Sequence, residues 1–151
     1  MSTKTIARMG MALAAVLLVS GCATGGRVGA AEKLAIYRAA AGLPVNSFPF
    51  HGSITGWTPL GDGAIALWTS PRRAWLLDLD GPCPDIEFTP VIAVTSSQAG
   101  RVSARFDKVL ASGQGSMQIP CRISEIRPLD TSKVKAAEKA AREDQEASSG
   151  T

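Results

Sequence analysis

The chain has 151 residues, 16 of them basic and 13 acidic, with three cysteines, one histidine and a pI near 9.0. Positions 1–21 read as a targeting segment; removing them takes Lys4 and Arg8 away and leaves 14 basic against 13 acidic residues. With no dense Lys/Arg face in the remainder, the balance argues against a nucleic-acid partner, and a single histidine without a CxxC pair argues against a zinc-type site.

Positions 1–8 carry two bases and no acid, 9–19 (MGMALAAVLLV) carry no charge, and Val19-Ser20-Gly21-Cys22 closes the run with small residues. This is the layout of a secretory signal. The apolar run is about half of the roughly 20 residues that a membrane-spanning helix needs, so it predicts a cleaved leader and no permanent span. VSGC resembles the bacterial lipobox, which implies that Cys22 is diacylated and becomes the first residue of the mature protein. Each buried lipid methylene is worth about 0.8 kcal/mol, so several chains on Cys22 make a lasting membrane anchor. By resemblance to Gram-negative lipoproteins, Ala23 lacks the aspartate of inner-membrane retention, which places the protein on the periplasmic face of the outer membrane.

Residues 22–29 form a lipidated tether of small residues, and 30–41 (AAEKLAIYRAAA) a short helix with Leu34, Tyr37 and Ala41 on one face, stopped by Gly42 and Pro44. From Phe48 the period changes to two. Strands are expected over 53–60, 64–69 and 74–79, broken by Gly61-Asp62-Gly63 and Ser70-Pro71-Arg72-Arg73. Gly81-Pro82-Cys83-Pro84 is a rigid loop, because its prolines cannot donate to a ladder. Three more strands fit 91–95, 101–106 and 117–126, with Cys121 in phase with Ile119 and Ile123 and so facing inward. Residues 30–130 are thus expected to form one mainly β domain, a small antiparallel barrel or sandwich of about six strands behind a short N-terminal helix. The Ala/Lys/Glu segment 131–151, without large apolar residues after Val134, is expected to be a disordered, charged tail.

With Cys22 assigned to lipid, Cys83 and Cys121 remain as an even pair in an oxidising compartment and predict a disulfide. Closing a loop of about 40 residues contributes roughly 4 kcal/mol in the chain-entropy account. His51 lies in FPFHGS, and no G-x-S-x-G elbow, P-loop, EF-hand or HExxH accompanies it. Asp78, Asp80, Asp85 and Glu87 crowd around the Cys83 loop as a solvated rim, the alternatives being an ion site or an acid/base pair. Trp57, Trp68 and Trp75 fall on three consecutive strands. Trp68 is out of phase with Ile65 and Leu67, which puts it under the helix; the alternative is an exposed aromatic platform for a sugar or peptide.

The segments AGLPVNSF (41–48), ITGWTPLGDGAIALWT (54–69), AWLLDLDGPC (74–83), RFDKV (105–109) and CRISEIRPLD (121–130) resemble a family of small proteobacterial lipoproteins classed as a domain of unknown function. The matching positions are Trp57, Cys83, Cys121, Asp107 and the C-x-I-x-x-I of Ile123 and Ile126. The resemblance implies a shared fold and the lipoprotein address, but no activity; no cofactor is expected, and Trp57, Trp68 and Asp107 are the candidate binding surface. Together these readings predict a non-enzymatic binding or structural module, tethered to the membrane through Cys22 and partnered by an envelope protein or peptidoglycan. The alternatives are an inhibitor of cell-wall lytic enzymes that inserts loop 96–100, and a hydrolase that uses His51.

Overall fold

A computed structural model of the chain describes residues 28–84, 86–112 and 120–149. The leader, Cys22, the tether up to residue 27, and Asp85 lie outside the described residues. Helix α1 (Ala30–Ala39) is followed by strands β1 (Ser47–Pro49), β2 (Gly56–Pro59), β3 (Ala64–Ser70), β4 (Arg73–Leu79), β5 (Val91–Val94), β6 (Arg101–Ser103), β7 (Lys108–Ser112) and β8 (Pro120–Leu129), and by helix α2 (Thr131–Ser149). The mainly β architecture expected from the sequence is present. One six-stranded sheet, in the order β2-β3-β4-β8-β7-β5, is joined by a two-stranded β1-β6 sheet, and every pairing is antiparallel.

β2, β3 and β4 form the meander that the period-two pattern predicts, with Gly61 at φ +93 supplying the tight turn that an L side chain resists. Strand β8 then returns to the middle of the sheet, pairing with β4 along Ile123 to Leu129 and with β7 along Pro120 to Arg122. Between these halves the register slips opposite Asp78 and Leu79, and the Ser124 hydroxyl donates to the Asp78 carbonyl at 3.0 Å. This bulge curls the sheet into a half-barrel. It also accounts for C-x-I-x-x-I: a step of two, then a step of three across the extra residue, keeps Cys121, Ile123 and Ile126 in one core.

The sheet is apolar on both faces. Towards the helices it presents Ala64, Ala66, Ala74, Leu76 and Leu129, which pack with Tyr37, Ala40 and Val134. Small alanines let α1 approach the backbone closely. Towards β1 and β6 it presents Ile65, Leu67, Leu77, Leu79, Ile123 and Ile126, which close over Phe48, Val102 and Ile86.

The segment expected to be a disordered tail is instead helix α2 from Thr131 to Ser149. Asp130 caps it by accepting the backbone N–H groups of Ser132 and Lys133 at 3.1 and 3.2 Å. That carboxyl is held below its ordinary range, chiefly by the Ser132 hydroxyl and then by the Lys133 N–H. Fully buried Val134 and the bond from the Tyr37 hydroxyl to Glu138 at 2.8 Å dock the helix onto α1. The composition that suggested a tail is also one of strong helix formers, and one buried valine plus a cap suffices to order it. Strands β1 and β7 also escape the sequence reading, and β6 ends at Ser103 where a strand to 106 was expected.

Tyr37 is the only tyrosine. Burial pushes its pKa up to about 12, with the Glu138 carboxylate acting in the same direction and a hydrogen bond with Thr58 opposing it. A phenol whose pKa is raised on folding stabilises the fold fully below its unfolded value of about 10, and that contribution is lost as pH rises through 12. Tyrosinate absorbance is therefore expected to rise near pH 12 in the native protein and near 10 in urea, and Glu138→Gln is expected to lower the native midpoint. A native titration near 10 would undo the assignment of Tyr37 to the α1–α2 contact.

Candidate functional site

The buried carboxylate of Asp107 organises one corner of the domain. Asp107 is 0% exposed, which corrects the expectation that it belongs to a binding surface. Its Oδ1 accepts the Ser97 N–H at 2.7 Å and the Thr95 hydroxyl at 3.0 Å, while Oδ2 accepts the Ser103 N–H at 2.7 Å and the Ser97 hydroxyl at 3.2 Å. Thr95 Oγ1 in turn accepts the Lys108 N–H at 2.9 Å. A buried carboxylate persists only when its lone pairs are filled, and here the acceptor pattern ties β5, β6 and β7 together at their ends.

The chain between β6 and β7 is forced into a short turn. The Asp107 N–H bonds back to the Ser103 carbonyl at 3.0 Å, the Ala104 N–H to Asn46 at 2.9 Å, and the Arg105 N–H to Ile123 at 2.6 Å. Arg105 sits at φ +70, the one described residue other than glycine in the left-handed region. That conformation costs about 1–2 kcal/mol and persists because its surroundings hold it. The turn displays Phe106 with 74% of its surface exposed. Beside it runs a cleft of about 400 Å³ lined by Asn46, Gln98, Arg105, Phe106, Ser124 and Glu125, among others. Glu125 is paired with Arg127 at 2.6 Å and Arg101 donates to Ser47, whereas no ion pair engages the Arg105 guanidinium among the described residues. The result is a polar cleft edged by one aromatic ring and by one cation without an ion pair among the described residues.

The other candidates separate. Trp57 packs, half-buried, against the core beneath the sheet, and Trp68 against the helix-side cluster. They lie on opposite faces, so the expected joint surface of Trp57, Trp68 and Asp107 is not assembled. Trp75 stacks on Phe48, with ring centroids 4.7 Å apart. Asp78 pairs with Arg38 of α1 at 2.6 Å, and no group of three or more metal-ligating side chains converges among the described residues. His51 is exposed and makes no carboxylate hydrogen bond among them. Cys83 and Cys121 are joined, with Cα atoms 5.8 Å apart.

Loop 96–100 is held closed. The Ser96 hydroxyl reaches the Gln98 and Arg101 carbonyls at 2.8 and 2.6 Å, Gly100 takes φ +77, and Gln98 forms part of the cleft. Arg105 and Phe106 escape the sequence reading because 101–106 passes for a strand. The signal that marks them is Ser103 four residues before Asp107, the spacing at which a side-chain carboxylate bonds back to a backbone N–H and breaks the strand.

A family model described as a family of unknown function (DUF6491) matches residues 5–145. No curated protein and no solved structure matches the chain.

Proposed function

Because the chain belongs to DUF6491, a family of unknown function, its function has to be read from its own residues, and we propose that it is a non-enzymatic, lipid-anchored module of the outer membrane that binds an envelope partner through the cleft beside Phe106. The observation that carries this is the Arg105–Phe106 turn. Arg105, held at φ +70 next to a turn that a buried carboxylate ties down, presents a guanidinium that no ion pair engages among the described residues, beside the exposed ring of Phe106. Backbone strain held in place by its surroundings clusters at recognition sites, and aromatic and arginine side chains dominate binding hot spots. The anchor rests on the lipobox-like Val19-Ser20-Gly21-Cys22; among the described residues no helix is long and apolar enough to cross a membrane. Peptidoglycan or an envelope protein is the partner that this address offers.

A photo-crosslinker at Phe106 of the intact chain in cells is expected to give a discrete adduct, absent when the crosslinker sits at exposed Arg142 and weakened by Arg105→Glu. Equal labelling from both positions would remove the cleft from consideration. Cys22→Ala is expected to release the protein from the membrane fraction, and its retention there would remove the anchor. The second reading, inhibition of lytic enzymes, is favoured by one observation: loop 96–100 is rigidly preorganised and its residues 96–99 are exposed. It requires the isolated domain to slow lysozyme at micromolar concentration or below.

A further inference from the structure

The two edges of the six-stranded sheet are finished differently. Edge strand β2 pairs with β3, and the Leu60 N–H bond to Ala64 fixes which of its residues face inward. Trp57 and Pro59 are then the residues whose backbone points outward, and Pro59 has no N–H to offer. All four β2 residues are partly buried. This edge is blunted in the way edge strands usually are.

Edge strand β5 is not. It pairs with β7 in the register Val91↔Ser112 to Val94↔Val109, and the Thr95 N–H bond to the Lys108 carbonyl at 3.0 Å makes Thr95, Ala93 and Val91 the inward-bonded residues. The N–H and C=O groups of Ile92 and Val94 therefore point away from the sheet, and none of them has a hydrogen-bond partner among the described residues. From Pro90 to Gly100 there is no charged residue, and no proline or bulge interrupts the strand itself. Val91 is 59% exposed and the nearby Phe88 83% exposed. An uncharged, apolar edge with open donors and acceptors is a template for another strand.

We propose that this edge takes the β5 strand of a second copy of the chain, antiparallel, with a two-fold axis at Ala93. The five residues from Val91 to Thr95 are centred on Ala93. In that register Ile92 faces Val94 of the other copy twice over, and each such pair exchanges two backbone hydrogen bonds, so all four outward N–H groups and their carbonyls are satisfied together. Ala93 meets its own copy at the close, non-hydrogen-bonded position, where a small side chain is needed. The ladder ends where Pro90 has no N–H to give. A foreign strand would be selected by charge or by side-chain pockets; β5 carries no charge to select with, and the register centred on Ala93 satisfies the outward groups of Ile92 and Val94 in both copies at once, which favours self-pairing of the isologous kind.

Cysteine crosslinking in cells making the full-length chain tests the register. Across the axis, Ala93 and its copy are about 4.5 Å apart between Cα atoms, which suits a disulfide. Val91 and its copy are about 13 Å apart, which does not. Ala93→Cys is expected to give a dimer on a non-reducing gel, abolished by reductant and shown by mass spectrometry to join the two introduced cysteines, while Val91→Cys gives none. Ala93→Lys, which sets two like charges face to face, is expected to halve the apparent mass of the detergent-extracted protein without lowering its melting midpoint. An Ala93→Cys chain that stays monomeric, crosslinking of equal yield from Val91→Cys, or capture by Ala93→Cys of a different protein in place of its own copy would each overturn the proposal.

Discussion

Replacing Asp107 by alanine is expected to lower the unfolding free energy by about 3–5 kcal/mol, a large share of the roughly 5–15 kcal/mol available to a domain of this size. The wild-type carboxylate accepts four hydrogen bonds from Thr95, Ser97 and Ser103, all from a position with no solvent exposure. Alanine leaves the Ser103 and Ser97 N–H groups without that acceptor, and an orphaned buried donor costs more than a surface hydrogen bond gains. Asp107→Asn separates charge from shape. Its amide oxygen can still take the Ser97 N–H, but its NH₂ then faces the Ser103 N–H, donor to donor, so a loss of about half the alanine value is expected. Urea denaturation at neutral pH measures both. If the alanine variant unfolds at the wild-type midpoint, the carboxylate is not what holds the 104–106 turn, and the cleft beside Phe106 loses its physical basis.

Asp107 also shows what one sequence can and cannot reveal. The β2-β3-β4 meander is legible because its apolar runs have strand length and each turn has its glycine or proline in place. The inward phase of Cys121 is legible from its two-residue step to Ile123. The bulge at Ser124 is written in the spacing of Ile123 and Ile126, but a step of three takes on meaning only beside the β4 register that it must fit. Helix α2 is hidden because its burial rests on Val134 and on Tyr37 nearly a hundred positions away, and composition alone cannot weigh one long-range contact against a polar surface. The Arg105–Phe106 turn is hidden by the same kind of non-local cause. Its β-like residues are bent by the Ala104 and Arg105 N–H bonds to the Asn46 and Ile123 carbonyls, both far away in the chain. A binding surface is therefore sought at the tryptophans, where the apolar signal is loudest, although their rings serve the two cores.

Removing the disulfide, with Cys83 and Cys121 both changed to alanine, is expected to cost about 4 kcal/mol and roughly 20 °C in melting temperature. The bridge spans 38 positions and joins the loop after β4 to the start of β8, so it closes across most of the long excursion through β5, β6 and β7. Its main effect falls on the unfolded chain, which loses freedom when that loop is closed; the folded backbone around it is separately held by Asp80 N–H to Arg122 and Cys83 N–H to Asp62, at 2.8 and 2.7 Å. The alanine pair is therefore expected to keep the native circular dichroism at low temperature while unfolding at lower urea. Reduction of the wild-type protein should reproduce the shift. Asp107 acts in the opposite place, on the folded state alone, although its backbone bonds to Ile123 only two residues beyond Cys121. Effects carried by different states add even between neighbours, so the triple variant is expected to lose the sum of the two, about 8 kcal/mol, and to be largely unfolded at room temperature. A triple variant no less stable than Asp107→Ala would mean that the bridge works by positioning Asp107 in the native fold and not by restricting the unfolded chain.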